Sequence, residues 1–126
     1  MKWGVRPFFQ KAERLLRHPE ELLATLSKAL SKAYAQRLVL VRIFEDFLML
    51  FRLVRAWVRG EYDRVPRRTI LWAIVAILYF LSPIDLIPDI FPGGYIDDVA
   101  VISFILKRIK VDLDAFSSWE KKKRSD

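Results

Sequence analysis

The chain has 126 residues, 53% of them hydrophobic and 29% charged, a net charge of +7 and no cysteine. That length suits a single domain with a modest core, and the charged fraction excludes a chain built mainly of membrane spans. Without cysteine there is no disulfide, thiolate nucleophile or zinc-thiolate site, and a reducing compartment suits the chain.

The first stretch mixes Trp3, Phe8 and Phe9 with Lys2, Arg6, Lys11, Arg14 and Arg17, a composition that fits a short interfacial helix or a helix docked on the rest of the chain. Arg6, Pro7, Lys11, Glu13 and Arg14 interrupt every apolar run there, so no cleavable signal is expected. His18-Pro19-Glu20-Glu21 marks a helix start, with proline at the first position and acids in the first turn. As the only histidine, placed before a proline, His18 reads as a boundary residue rather than a ligand or general base.

Leu22, Leu23, Leu26, Leu30, Ala33 and Tyr34 then recur at the spacing of an amphipathic helix. Leu38 to Arg59 contains no proline or glycine, and its charges at Arg42, Glu45, Asp46, Arg52, Arg55 and Arg59 fall mostly on one stripe. The remaining surface is so apolar that the helix needs a partner on both flanks: the rest of the chain, a second copy, or lipid. Residues 20–59 fit one long helix or two with a bend near Gln36. Gly60 is a natural helix stop, and Glu61 to Pro66 a short polar connection.

The segment 69–106 holds four aspartates and no lysine, arginine, glutamate or histidine, a charge of −4, so the remainder carries +11. Arg64, Arg67 and Arg68 precede it; Lys107, Arg108 and Lys110 follow it. This is the pattern of a helical hairpin with both ends at one anionic, cytoplasmic surface, and it also fits a hairpin with solvated ends. The apolar run 69–81 rises only about 20 Å as a helix, and 99–106 only about 12 Å, against about 30 Å of hydrocarbon. Two full crossings are therefore excluded by length. A single kinked crossing would bury Asp85 and Asp89 at about 2.5–3.5 kcal/mol each. A shallow insertion is favoured over that crossing and over a hairpin enclosed in the protein's own bundle.

The knuckle joins the two legs. Ser82-Pro83-Ile84-Asp85 combines an N-cap hydroxyl, a proline at the first helical position and an acid near the free amides, so a short helix starts there. Pro88 and Pro92 stop it, Gly93-Gly94 reverses the chain, and Asp97-Asp98 fall in the first turn of the next helix. The run Ser82-Pro83-Ile84-Asp85-Leu86-Ile87-Pro88-Asp89, with Pro92, Gly94-Tyr95 and Asp97-Asp98, closely resembles the signature of the YkvA-like proteins. These are small, often membrane-associated bacterial proteins of a domain-of-unknown-function family. The resemblance covers roughly residues 61–119, and it implies a class and no reaction.

Asp85, Asp89, Asp97 and Asp98 form the only constellation that could carry chemistry. Brought together by the turn, they could hold magnesium or calcium through hard oxygen ligands, giving a carboxylate site with a hydrolytic role. Capping of helix starts by Asp85, Asp97 and Asp98, with Asp89 steadying the prolines, explains them more simply. No Ser-His-Asp set, P-loop or dinucleotide fingerprint occurs. The sequence pI of about 9.9 and the interleaved arginines and aromatics raise nucleic acid as a partner, but no recognition motif accompanies them, so lipid ranks first.

The expected fold is all-α: a small helical bundle over 1–126, with N-terminal amphipathic helices over 1–60, the hairpin region over 61–119 and a basic tail over 120–126. The expected role is non-catalytic, that of a membrane-associated accessory or scaffold protein at the cytoplasmic face of the inner membrane. Its partners would be membrane lipid or a larger membrane protein complex, and it could form a homo-oligomer. Trp57, Trp72, Arg67, Arg68, Lys107 and Arg108 are the candidate contacts, and Ser82, Pro83, Pro88, Pro92, Gly93 and Gly94 the structural knuckle. Titration calorimetry with magnesium, calcium and manganese separates the two readings of the aspartates: capping expects no heat, and a saturable signal would overturn it.

Overall fold

The computed structural model describes residues 2–81 and 94–125, with side chains over 7–81 and 100–124. Among these residues the regular structure is helical: α1 (Lys2–Leu16), α2 (Pro19–Ala35), α3 (Phe44–Val58), α4 (Arg67–Leu81), α5 (Gly94–Arg108) and α6 (Lys110–Ser125). The expected all-α bundle is what forms.

Local chemistry places most of the boundaries. Pro19 opens α2 with Glu20 and Glu21 in its first turn, where acids complement the helix dipole. At the end of α3, Gly60 takes a φ of 73°. The Gly60 amide donates to the Trp57 carbonyl at 3.1 Å and the Glu61 amide to the Ala56 carbonyl at 2.9 Å, the paired closing bonds of a Schellman stop. Pro66 then accepts from the Thr69 amide at 3.0 Å as α4 begins.

α4 is the axis of the bundle because it has no polar stripe to turn toward water. Every residue from Ala73 to Phe80 is buried, and α1, α2, α3 and α5 all pack on it. α1 runs antiparallel to it, with the Phe8 ring 5.4 Å from Tyr79 and the Phe9 ring 4.8 Å from Trp72. α2 finishes where α4 finishes, since Lys32 Nζ donates to the Phe80 carbonyl at 2.6 Å. α3 starts at that same end, Phe47 meeting the Phe80 ring edge-on at 5.1 Å. α5 returns antiparallel, bringing Arg108 over the Trp72 ring at the opposite end. α6 closes the α3 side through Phe116 and Trp119, which pack around Tyr62.

Three expectations are corrected. The apolar leg expected to lie in lipid is instead enclosed by the protein's own chain, because four helices satisfy its apolar surface. Among the described residues no helix is long and apolar enough to cross a membrane. The stretch read as one helix from Leu38 to Arg59 begins only at Phe44. Residues 36–43 form turns that tuck Leu40 into the core at 2% exposure and leave Leu38, Val39 and Val41 outside at 83%, 65% and 68%. The basic run Lys121 to Arg124, expected as a tail, continues α6 with its side chains exposed. α1, left open between interfacial and docked, is docked, with Phe8, Ala12 and Leu15 buried.

Truncation of Ile74, which is fully buried in α4, to alanine is expected to cost about 2–5 kcal/mol in urea denaturation without lipid. The same change at exposed Val41 should stay within about 0.5 kcal/mol. An Ile74→Ala protein as stable as wild type would contradict the enclosed position of α4.

Candidate functional site

Two ends of the bundle carry the residues that could meet a partner. At the start of α4, Arg67 forms an ion pair with Glu13 of α1 at 3.0 Å, both groups partly exposed, so the pair contributes little to stability. Trp72 is half-buried one turn further on, its ring meeting Phe9 edge-on and lying under the Arg108 guanidinium at 4.9 Å. Such a cation over an indole is worth about 0.5–1 kcal/mol at an exposed site. Arg68 and Lys107 are exposed beside this group in sequence, while Lys110 reaches Asp114 at 3.5 Å.

Thr69 Oγ1 donates to Asp112 Oδ2 at 2.5 Å across α4 and α6. The carboxylate thereby sits by the first turn of α4, where the helix dipole favours negative charge. Lys32 does the converse at the other end, donating to Phe80 and lying 4.7 Å over its ring. Tyr62, wedged against Phe116 and Trp119, has its phenol pKa raised above the ordinary 10.0, first by burial and then by the charge of Asp112, with Arg64 pulling it down.

Of the six candidate contacts, the structure brings together Trp72 and Arg108, with Arg67 tied to the neighbouring α1. Trp57 is half-buried against the core on α3, with no ring or cation contact to that group. The candidate metal ligands Asp85 and Asp89 and the knuckle residues Ser82, Pro83, Pro88, Pro92 and Gly93 lie outside the described residues. Gly94, Asp97 and Asp98 belong to the opening of α5, their side chains outside the described set. Among the described residues no group of three or more histidine, aspartate or glutamate side chains is placed to hold a metal ion.

At the Phe80 end lies a feature that periodicity did not single out. The turns over 36–43 project Leu38, Val39 and Val41 between Arg37 and the exposed Arg42. The signal was the four-residue apolar run Leu38-Val39-Leu40-Val41, too dense for one helix face to bury.

The geometry defines a class: a small all-α bundle wrapped on one apolar helix. The family described as "Protein of unknown function (DUF1232)" matches residues 69–104. The "Uncharacterized membrane protein YkvA" of Bacillus subtilis (strain 168) is 36% identical over 95 residues, which cover 75% of this chain and 90% of that protein. The chain belongs to the YkvA-like family. The likeness spans more residues than the 61–119 stretch that carried the resemblance, so it includes part of the chain outside it. No solved structure matches the chain.

Tyr62 provides a pH test. Its folded pKa lies above its unfolded one, so the unfolded chain loses the proton first. The contribution to stability is whole below about pH 10 and is lost as pH rises through the folded value. The melting temperature of wild type relative to Tyr62→Phe should be constant below about pH 9 and fall above about pH 10. A difference that does not change with pH would count against the raised pKa.

Proposed function

We propose that this protein is a peripheral membrane protein that attaches to anionic lipid through the turns over 36–43 and serves there as a non-catalytic accessory or scaffold component. Attachment at the cytoplasmic face of the bacterial inner membrane suits its charge, since that leaflet attracts basic proteins. The observation that carries the proposal is the exposure of Leu38, Val39 and Val41 between two arginines on a chain of net charge +7.

The physical case is one of surplus. α4, the most apolar helix, is already enclosed, so the hydrophobic effect provides no reason for it to leave the bundle. The valines and leucine at 38, 39 and 41 have no such cover. Each is worth about 1.5–3 kcal/mol if fully removed from water, and neighbouring Arg37 and Arg42 would rest at phosphate level, each adding about 1 kcal/mol near an anionic surface. Support of a different kind comes from the Bacillus subtilis relative, which is named as a membrane protein. Contacts through Arg68, Lys107 and Trp72 belong to the opposite end of α4, and a protein partner in the membrane could use them while lipid holds the 36–43 turns.

Sedimentation with vesicles tests the reading. Wild type is expected to pellet with phosphatidylglycerol-containing vesicles, less with phosphatidylcholine alone, and less as salt rises. Leu38→Glu with Val41→Glu should weaken binding about tenfold or more with the melting temperature unchanged, because both side chains are exposed. If the double variant pellets as wild type does, the 36–43 turns are not the attachment site.

A further inference from the structure

Between α2 and α3 runs a half-open groove of about 410 Å³. Its floor is apolar: Leu26 and Phe51 are buried, and Leu23, Leu30 and Leu48 are half-buried. One wall is cationic, because Arg52 and Arg55 of α3 and Arg59 at its C-cap, which keeps helical backbone, follow at three and four residues and so share a face. Arg52 is engaged with Glu120 at 2.9 Å. Arg55 and Arg59 make no side-chain hydrogen bond or ion pair with any described residue. Neither the family resemblance nor the membrane reading accounts for an apolar trough beside two unpaired guanidinium groups.

We propose that this groove binds one long-chain fatty-acid anion, with the alkyl chain along Leu26, Leu30 and Leu48 and the carboxylate between Arg55 and Arg59.

Size, shape and charge each restrict the occupant. The volume falls in the range of about 300–1,000 Å³ typical of small-molecule sites. From Leu48 to Arg59 the wall extends about 16 Å, which suits a narrow chain. The floor has Ser27 and Tyr34 as its polar interruptions, so a polar or multiply hydroxylated ligand would lose hydrogen bonds there. The anion is specified by the arginines. Side chains four residues apart on a helix are about 5–6 Å apart at their Cβ atoms, so two guanidinium groups can both donate to one carboxylate in the charge-assisted geometry that arginine favours.

Lipid vesicles play no part in the test, so the failure of this proposal and the failure of membrane attachment are separable. Full-length protein is titrated calorimetrically with palmitate below its micelle threshold, with hexadecyltrimethylammonium as a cation of equal chain length and palmitoyl lysophosphatidate as a phosphate-headed arm. Palmitate should bind saturably, one per chain, and more tightly than the cationic amphiphile. Two variants divide the site. Arg55→Glu with Arg59→Glu reverses charge on exposed side chains, and Ser27→Trp fills the groove from an exposed position without touching its charges. Each should weaken palmitate binding about tenfold or more while circular dichroism shows unchanged helicity. Three outcomes overturn the proposal: no saturable palmitate binding, an affinity unchanged in both variants, or saturation by lysophosphatidate alone, which would assign the arginines to a phosphate rather than a carboxylate.

Discussion

The enclosure of α4 is the constraint on which the rest of the molecule depends. A helix that is apolar on every side cannot lie at a protein surface in water, and one of fifteen residues is too short to replace water with a bilayer. It has to be wrapped by protein, and here its own chain does so. α1, α2, α3 and α5 do this, and their apolar stripes make sense only as the inner lining of that sleeve. The two ends of α4 are then served electrostatically. Asp112 stands at the amide end through Thr69, and Lys32 closes the carbonyl end at Phe80. Both signs agree with the peptide dipole.

Once α4 is covered, the chemistry left on the outside is what the neighbours could not bury. Two parts of that surface, among the described residues, stand out beside the singly exposed Phe104 and Val111. One is the set of turns over 36–43, apolar and bordered by arginine. The other is the α2–α3 groove, where leucines meet the arginine stripe of α3. Both arise because α2 and α3 separate at Gln36 instead of continuing as one rod. Had the helix run through, Leu38, Val39 and Val41 would have been spread around its circumference, and α3 would not fold back beside α2 to form a groove.

The fold class and most helix limits were legible in the chain because they are set locally. Pro19 with Glu20-Glu21, Gly60 and Pro66 each impose a backbone requirement that no distant contact can relax. The meeting of Arg108 with the start of α4 was also legible in outline, as cations bracketing an uncharged span. The break at 36–43 was legible only as one of two alternatives, a bend near Gln36 or a continuous helix, and the structure decided for the break. It contains no proline or glycine, and what holds it is long-range: Leu40 in the core and Tyr34 edge-on to Phe44 across the turn at 5.4 Å. The groove was hidden for a related reason, since its leucines and arginines belong to two helices whose relative placement no single periodicity encodes.

By itself the sequence determined that the chain is helical, where most of its helices begin and end, and that one of them is too apolar for water and too short for a bilayer. Only the tertiary structure decided what would cover that helix. Apolar burial is non-directional: composition states how much surface must leave water, while the choice between lipid, a second copy and the chain itself depends on whether the other helices can close around it. Here they do, and among the described residues the apolar surface left over includes that of a turn and a groove.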